Sequence, residues 1–276
     1  MQHTQRPRPR LVASDVDGTL IDHDERVSER TRDAIHKVVA AGDVFVLSTG
    51  RPPRWIGPIV EQLGLAPMAV CANGAVIYDS ESDRVVSART LGVSDLAELA
   101  ALAEAALPGC GMAVERVGRS AHDTATPQFV SSPGYEHAWL NPDNTETSAA
   151  DMLSSPAVKL LVRMSSMKSG DMASALGPSV EHLADVTFST DNGLIELSPL
   201  GVSKASGLLE VAGSLGIDAS EIVAFGDMPN DVPMLAMVGH GVAMANAHPD
   251  AIAVADEVTA SNVDDGVARV LERWWT

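Results

Sequence analysis

The chain has 276 residues, of which 45% are hydrophobic, and it carries a formal net charge of −18 at pH 7. This much apolar material can build one large packed domain or two ordinary ones, so the composition excludes a disordered or fibrous chain. The excess of acidic residues would repel a nucleic acid backbone or an anionic membrane surface. We therefore expect a small-molecule partner, with neither a nucleic acid nor a membrane among the partners.

Cysteine usage and the N-terminal pattern bear on the compartment. The two cysteines, Cys71 and Cys110, stand in unlike contexts without a CxxC spacing, which suits a reducing compartment and argues against a disulfide framework or a zinc site. The apolar run after the basic N-terminus stops at Ser14, far short of the ~7 to 15 residues of a signal-peptide core. No apolar stretch approaches the ~18 residues of a membrane span. These features predict a cytoplasmic protein.

Strand and helix patterns alternate over the first 80 residues. An apolar run at 10–16 predicts a strand, and Ser28 is a plausible cap for a helix whose apolar residues recur at helical spacing. Apolar runs at 43–50 and 68–74 predict two further strands, with a second helix between them. Such alternation indicates a parallel sheet with crossover connections.

The same alternation returns from about residue 203 to the C-terminus, whereas the residues between have a different texture. An Ala-rich helix, a loop-like span at 124–150 and further strand and helix patterns indicate a separate insert. A turn containing Asn192 and Gly193 then predicts a hairpin. A mobile second domain over a site on the first is the favoured interpretation, and a rigid structural elaboration is the alternative.

The predicted fold class is therefore α/β. A doubly wound, Rossmann-like parallel-sheet core would comprise residues 1–80 and 191–276, and a smaller α/β domain at 81–190 would be inserted into it as a cap.

Polar residues end four of the predicted core strands. In an open parallel sheet, ligands bind in the crevice beyond the carboxyl ends of the strands, so these endings are expected to meet at one site. The four endings are "DVDGT" (15–19), "STGR" (48–51), "NG" (73–74) and "GDMPND" (226–231).

Carboxylates dominate the first and last of these endings. In an extended segment, Asp15 and Asp17 project to the same side and repel each other unless a positive charge lies between them. The last ending adds two further carboxylates, with no His or Cys nearby, and such an oxygen-only set is typical of a hard divalent cation such as Mg²⁺. The predicted magnesium ligands are Asp15, Asp17, Asp227 and Asp231.

A second group of residues could bind an anion. Thr49 and the following Gly50 can present a hydroxyl and backbone N–H groups to a phosphoryl oxygen, and Lys204 near the start of a helix can neutralise another. Each residue alone is weak evidence, because such residues are common in loops and on surfaces. Together they predict a phosphoryl-binding site beside the metal.

Four segments, "DVDGTL", "STGR", "GVSKASGL" and "GDMPNDVPML", resemble the four motifs of the haloacid dehalogenase-like superfamily. The insert is similar in position and length to the cap of the Cof-type, class IIB branch. The resemblance implies that Asp15 is the nucleophile and a metal ligand. It implies that Asp17 is the acid and base, lending its backbone carbonyl to Mg²⁺, and that Asp227 is a further ligand whose shell Asp231 supports.

The resemblance also assigns the phosphate and substrate contacts. Thr49, Lys204 and Asn230 would hold the phosphoryl group, while Arg51 and Asn73 would face the substrate or the closing cap. The chain departs from the branch at Ala205, where glycine is frequent, and at Ser14, where an apolar residue is common. Neither departure changes the placement of charge.

These observations predict a Mg²⁺-dependent phosphatase that hydrolyses a small phosphomonoester through an aspartyl-phosphate. The ester would be a sugar phosphate or a phosphorylated cofactor or nucleotide. Asp15 would attack phosphorus, while Asp17, protonated in a crowded acidic neighbourhood, would protonate the leaving group and then activate water. The alternatives are a phosphomutase of the same superfamily and, disfavoured by Asp17 and the insert, a receiver-like phosphoacceptor domain.

Several alternatives stay open at the level of sequence. Arg51 could be a surface charge, Asn73 could merely form a turn, and Asp231 could be an acid in the first turn of a helix. The aromatic residues of the insert could stack on the ring of a flavin, pyridoxal or nucleotide phosphate, or form the core of the insert. These aromatic residues are Phe129, Tyr135 and Trp139. The oligomeric state and the physiological ester also stay open.

Overall fold

The structure is a computed structural model that describes residues 7–139 and 143–276. The first six residues of the basic N-terminus and residues 140–142 of the predicted loop-like span lie outside the described residues. Among the described helices, none combines the length and the apolar character that crossing a bilayer requires.

Strands and helices alternate through most of the described chain. The strands are β1 (Leu11–Ser14), β2 (Val44–Ser48), β3 (Met68–Cys71), β4 (Val76–Asp79), β5 (Arg84–Ala88), β6 (Gly111–Glu115), β7 (Phe129–Ser131), β8 (Asn144–Glu146), β9 (Lys159–Arg163), β10 (Ala184–Thr187), β11 (Leu194–Pro199), β12 (Ile222–Gly226), β13 (His240–Ala243) and β14 (Glu257–Val258). The α-helices are α1 (Glu29–Ala40), α2 (Gly57–Leu63), α3 (Val93–Ala106), α4 (Ala149–Met152), α5 (Ser169–Val180), α6 (Lys204–Ser214), α7 (Val232–Met237), α8 (Pro249–Val254) and α9 (Gly266–Leu271).

The larger sheet has the strand order β14-β13-β12-β1-β2-β3-β4-β5 within the described residues. Its strands run parallel from β14 to β3, and β4 and β5 add an antiparallel hairpin at one edge. The predicted alternation of strands and helices is confirmed. So is the N-cap of α1, where the Ser28 side chain accepts a hydrogen bond from the Thr31 backbone N–H.

Both faces of the sheet are buried at its central strands β13, β12, β1 and β2, because these strands are largely apolar on both sides. Leu11 and Ala13 of β1 pack in one apolar cluster with residues of α6 and α7, whereas Val12 packs in another with residues of α1 and α9. Such near-continuous apolar runs are typical of a parallel sheet covered by helices on both faces. The doubly wound core predicted from the sequence is confirmed.

The smaller sheet has the order β10-β11-β9-β6-β7-β8 in the described residues and is antiparallel except for β7 with β8. Helices α3 and α5 contribute apolar residues to its own core. The predicted hairpin is confirmed, because β10 and β11 pair on either side of the turn that contains Asn192 and Gly193. The inserted smaller α/β cap is therefore present as predicted.

The two sheets divide the chain later than the predicted boundaries at 81 and 190. Strand β5 pairs with β4 and extends the larger sheet, whereas β11 pairs with β9 in the smaller sheet. The reason is that each predicted boundary cuts a hairpin, and two strands joined by a short turn remain in one sheet. The division into separately folding domains remains a prediction.

Helix α6 packs closely against the larger sheet, and Lys204 is the first residue of this helix. A Cβ atom on Gly207 would lie 2.5 Å from Val70 Cγ1 and 3.0 Å from Gly74 Cα, so only glycine permits this separation. The helix starts at a defined residue because the Ser203 side chain accepts a hydrogen bond from the Ser206 backbone N–H.

We predict that Gly207→Ala lowers the free energy of unfolding by about 1–3 kcal/mol, because the added methyl group must displace packed atoms. Gly213→Ala in the same helix is the matched control, since a Cβ atom there meets nothing within 4 Å. We expect it to raise stability by about 0.5–1 kcal/mol through helix propensity. Urea unfolding of both variants measures the difference. Equal effects would contradict the close packing of α6.

Candidate active site

The carboxyl ends of four neighbouring parallel strands carry the residues that the sequence singled out. In the strand order β12-β1-β2-β3, the residues following these ends are Asp227, Asp15, Thr49 and, in a short turn, Asn73. The sheet therefore brings together residues that are more than 200 positions apart in the chain.

Three carboxylates and one ammonium form a buried cluster at this edge. Asp15, Asp227 and Asp231 are buried, and each offers a carboxylate oxygen within 4.8 Å of the others. The Lys204 ammonium donates to Asp15 Oδ1 and to Asp231 Oδ1, each at 2.6 Å. With all groups ionised, three negative charges face one positive charge, and a divalent cation would balance the difference. The oxygen-only donor set fits Mg²⁺.

Burial and charge shift the pKa values of this cluster. Burial raises the pKa of Asp15 well above its usual range, although the Lys204 ammonium acts against it. Burial and the Asp231 charge also raise the pKa of Asp227 to about 7. Burial alone would lower the pKa of Lys204, but its two carboxylate partners raise it, so the side chain stays charged. A bound cation would favour the ionised carboxylates.

Both carboxylate oxygens of Asp231 accept hydrogen bonds from the protein. Its Oδ2 accepts from the backbone N–H groups of Asp227 and Met228 at 2.9 and 3.0 Å, while its Oδ1 accepts from Lys204. The side chain is completely buried. This arrangement shapes the turn after β12 and holds Lys204, so it favours a supporting role over direct contact with a metal.

The Asp17 carboxylate does not join the cluster. It accepts hydrogen bonds from Arg51 Nε and Nη2 at 2.9 and 2.6 Å, and 56% of the side chain is exposed. The expectation that crowding carboxylates surround Asp17 is therefore wrong: strand β1 ends at Ser14, and the crowding falls on Asp15 instead. The predicted role of the Asp17 backbone carbonyl as a metal ligand stays a prediction.

Gly18 lets the loop after β1 approach Asp227. It has a positive φ of 77°, and a Cβ atom there would lie 2.3 Å from Asp227 Oδ2. The neighbouring Thr19 hydroxyl donates to Asp227 Oδ1 at 2.9 Å. In the motif "DGT", Gly18 therefore permits the close approach to Asp227, and Thr19 makes the hydrogen bond to it.

The residues predicted to bind the phosphoryl group lie around the cluster. Thr49 is buried, and its Oγ1 accepts from the Arg51 backbone N–H at 3.0 Å. The Gly50 N–H has no partner among the described residues. Asn230 donates from Nδ2 to Asn73 Oδ1 at 3.0 Å, while its own buried Oδ1 has no partner in the described part of the chain. The Thr49 hydroxyl proton and the Gly50 N–H therefore remain as donors for a ligand, and Asn230 Oδ1 remains as an acceptor.

Arg51 and Asn73, predicted to face the substrate or the cap, both have specific partners. Arg51 is an ion-pair partner of Asp17 and of Glu25, and only 15% of its side chain is exposed, so it is not a solvated surface charge. Asn73 occupies a turn with φ of 55° and donates from Nδ2 to Glu196 Oε2 of the cap at 2.7 Å. Asn73 therefore both forms a turn and contacts the cap.

Sequence reasoning missed two buried ion pairs in this region. Arg54 after β2 pairs with Glu115 of β6 at 2.5 Å, and Lys159 of β9 pairs with Glu196 of β11 at 2.6 Å. All four side chains are buried. A signal was present, because Lys159 and Glu196 stand inside the apolar runs "AVKLLV" and "GLIEL". A charge at such a position indicates a buried partner but does not identify it.

A cavity of about 610 Å³ is lined mainly by loop and turn residues of the core and by residues of the cap. Asp15 lines it from the core, and Trp139 and Leu161 line it from the cap. The ring centroids of Trp139 and Trp55, a second lining residue, are 6.0 Å apart. Phe129 and Tyr135 instead pack in an apolar cluster of the smaller sheet. Of the three candidate stacking residues, only Trp139 therefore lines this cavity.

Comparison with known proteins gives relatives of similar length. A sequence model of the family described as haloacid dehalogenase-like hydrolase matches residues 12–271. A protein of Serratia proteamaculans named HMP-PP phosphatase is 31% identical over 282 residues, which cover 96% of this chain and 95% of that protein. A 5-amino-6-(5-phospho-D-ribitylamino)uracil phosphatase of Bacillus subtilis is 27% identical over 266 residues, covering 96% and 95%.

A solved structure shares the fold. It is that of a sugar phosphatase of subclass IIB of the HAD superfamily. The superposition has a TM-score of 0.78 at 21% identity and covers 96% of this chain and 98% of that one.

We predict that Asp227→Asn weakens Mg²⁺ binding by about tenfold or more, because it removes a buried negative charge from the proposed ligand set. Asp33→Asn is the matched control, since it makes the same change on the exposed face of α1 and should leave the affinity unchanged. Isothermal titration calorimetry with MgCl₂ measures both. Parent-like affinity of the Asp227→Asn variant would contradict the assignment.

Proposed function

We propose a reaction for this chain, which belongs to the haloacid dehalogenase-like hydrolase family. Members of this family that resemble it are named phosphatases, and the chain is an enzyme of that kind. The proposed activity is Mg²⁺-dependent hydrolysis of a small phosphomonoester through an aspartyl-phosphate on Asp15. The observation that carries the proposal is the buried cluster of Asp15, Asp227, Asp231 and Lys204 at the wall of a small-molecule cavity.

In the first step, a carboxylate oxygen of Asp15 attacks phosphorus, and the bond between phosphorus and the leaving oxygen breaks. Mg²⁺, held by Asp15 and Asp227 with the Asp17 backbone carbonyl, would offset the charge of the phosphoryl oxygens. Lys204 keeps one oxygen of Asp15 fixed at 2.6 Å, which restricts the side chain to one orientation. The two carboxylates that hold Lys204 keep it charged.

Asp17 then supplies and removes protons. As an acid it would protonate the leaving oxygen. As a carboxylate it would then take a proton from the water that attacks the phosphorus of the intermediate, while the bond between phosphorus and the Asp15 oxygen breaks, Asp15 is restored and inorganic phosphate leaves. Arg51 donates to both Asp17 oxygens in this structure, so the ion pair must open and Asp17 must take up a proton from water before it can act as the acid. Arg51 would then be free to face the phosphoryl group or the leaving group.

The donors around the cluster would hold the phosphoryl oxygens. The Thr49 hydroxyl accepts from a backbone N–H and therefore has its own proton to donate. The Gly50 N–H and the second hydrogen on Asn230 Nδ2 are further donors. Fixed donors of this kind stabilise charge without reorganising during the reaction.

The leaving group would lie against the cap. The cavity has a volume within the ~300–1,000 Å³ typical of small-molecule sites, which exceeds the needs of a phosphoryl group alone. Trp55, Trp139 and Leu161 give part of its wall an aromatic and apolar surface. We propose that the ester carries a planar ring, which favours a phosphorylated cofactor or nucleotide over a plain sugar phosphate.

The cellular location and the alternative activities are the two remaining assignments. Cys71 and Cys110 are both free, which supports the proposed cytoplasmic location. The phosphomutase alternative has no specific observation in its favour, and the receiver-like alternative is excluded by the family. A product assay separates phosphatase from phosphomutase, because only the former releases inorganic phosphate without a phosphorylated acceptor.

We predict that Asp15→Asn abolishes turnover, whereas Asp17→Asn forms the phosphoenzyme and hydrolyses it slowly. Loss of a general base costs ~10²–10⁴ in rate. With p-nitrophenyl phosphate, whose leaving group needs little protonation, the Asp17→Asn variant should give a burst of nitrophenol. Intact-mass spectrometry after an acid quench should show one added phosphoryl group. Peptide mapping should place this group on the peptide that contains Asp15. Parent-like turnover of Asp17→Asn, or a label elsewhere, would contradict the mechanism.

We also predict that Trp139→Ala lowers kcat/KM about tenfold for flavin mononucleotide or pyridoxal phosphate, because a stacking surface is lost. The value for glycerol 3-phosphate should be unchanged, since that ester has no ring. Trp139→Phe keeps an aromatic face and serves as the matched control. Equal losses on all three esters would show that Trp139 maintains the cavity and does not contact the leaving group.

A further inference from the structure

The turn after β2 has its backbone carbonyls engaged by donors. The Thr49 carbonyl accepts from the Asn73 N–H at 3.0 Å, and the Arg51 carbonyl accepts from the Ala72 N–H at 2.9 Å. Both donors belong to the turn after β3, in the same sheet. The carbonyl between them, that of Gly50, has no backbone donor among the described residues.

The donor to the Gly50 carbonyl comes from the cap. Lys159 Nζ on β9 donates to this oxygen at 2.8 Å and to Glu196 Oε1 at 2.6 Å. Glu196 uses its other carboxylate oxygen to accept from Asn73 Nδ2 at 2.7 Å. Lys159 and Glu196 are only 2% and 4% exposed, although both line the cavity, so each relies mainly on the other to balance its buried charge.

This contact fixes a peptide group beside the phosphoryl-binding residues. The Gly50 carbonyl and the Arg51 N–H belong to one planar peptide, so they turn together. That N–H donates to Thr49 Oγ1, which leaves the Thr49 hydroxyl proton for another acceptor. If the peptide turned over, Thr49 would lose this donor. A glycine at position 50 gives the backbone the freedom to make such a change.

We propose that Lys159 is a positioning residue of the phosphoryl site. Held by Glu196, it engages the Gly50 carbonyl and so keeps the peptide in the orientation in which Thr49 offers its hydroxyl proton to the phosphoryl group. The cap thereby contributes to the part of the site that is common to all substrates. The inference rests on the proposed function of the Thr49–Gly50 turn in binding phosphate.

The double variant Lys159→Met/Glu196→Gln tests this role. It removes both charges together, so neither ion is left buried without a partner, and the glutamine can still accept from Asn73. The probes are inorganic phosphate, titrated by calorimetry in MgCl₂, and two esters, p-nitrophenyl phosphate and pyridoxal phosphate. We expect the phosphate affinity to fall about tenfold or more and kcat/KM to fall by the same factor for both esters. Circular dichroism checks the fold.

Each outcome decides between distinct explanations. A folded double variant with parent-like phosphate affinity would overturn the inference, and so would a loss confined to pyridoxal phosphate, which would make Lys159 a leaving-group contact. If the double variant does not fold, Glu196→Gln alone is measured with the same probes. It should weaken phosphate binding by a smaller factor and affect both esters equally, and parent-like values would overturn the inference.

The parent chain separates this inference from the proposed function. If the parent neither binds phosphate nor hydrolyses either ester, the proposed function fails and the inference fails with it. If the parent does both while the variants behave like it, the inference alone fails.

Discussion

One ammonium shared between two buried carboxylates is the interaction on which the site depends. Lys204 lies between Asp15 and Asp231, and the nearby Asp227 leaves the cluster with two more negative than positive charges when all are ionised. Buried charges are costly unless they are balanced. The parallel strands bring Asp15 and Asp227 together, and the close packing of α6 against the sheet positions Lys204 beside Asp15. The imbalance equals the charge of one divalent cation, which supports the proposed Mg²⁺ site.

The cap meets this site through charges as well as apolar contacts. Two buried ion pairs, Arg54 with Glu115 and Lys159 with Glu196, lie where the two sheets meet. A buried ion pair is seldom more stabilising than apolar residues of similar size, so stability alone does not account for two of them. Their positions on the cavity wall offer a functional account: the cap would enclose the leaving group, and it contacts the Gly50 carbonyl of the turn that we propose binds the phosphoryl group.

Local pattern predicted most of the core and little of the cap interface. Apolar periodicity and capping residues act within a few positions, so the strands, the Ser28 cap and the acids at the strand ends could be predicted. The gathering of Asp15 and Asp227 followed from the rule for parallel sheets. The ion pair between Asp17 and Arg51, and the partners of Lys159, depend on contacts between distant segments. Residue types indicate such contacts without identifying them, and the catalytic roles remain predictions.

In the proposed mechanism, Asp15 takes the phosphoryl group before water does. The stereochemical course at phosphorus tests it most directly, using a thiophosphate ester made chiral with oxygen isotopes and hydrolysed in isotopically labelled water. Each displacement in line inverts the configuration at phosphorus, so two successive displacements restore it. An aspartyl-phosphate intermediate therefore predicts net retention in the released thiophosphate. Net inversion would show a single attack by water and would contradict the role of Asp15 as nucleophile.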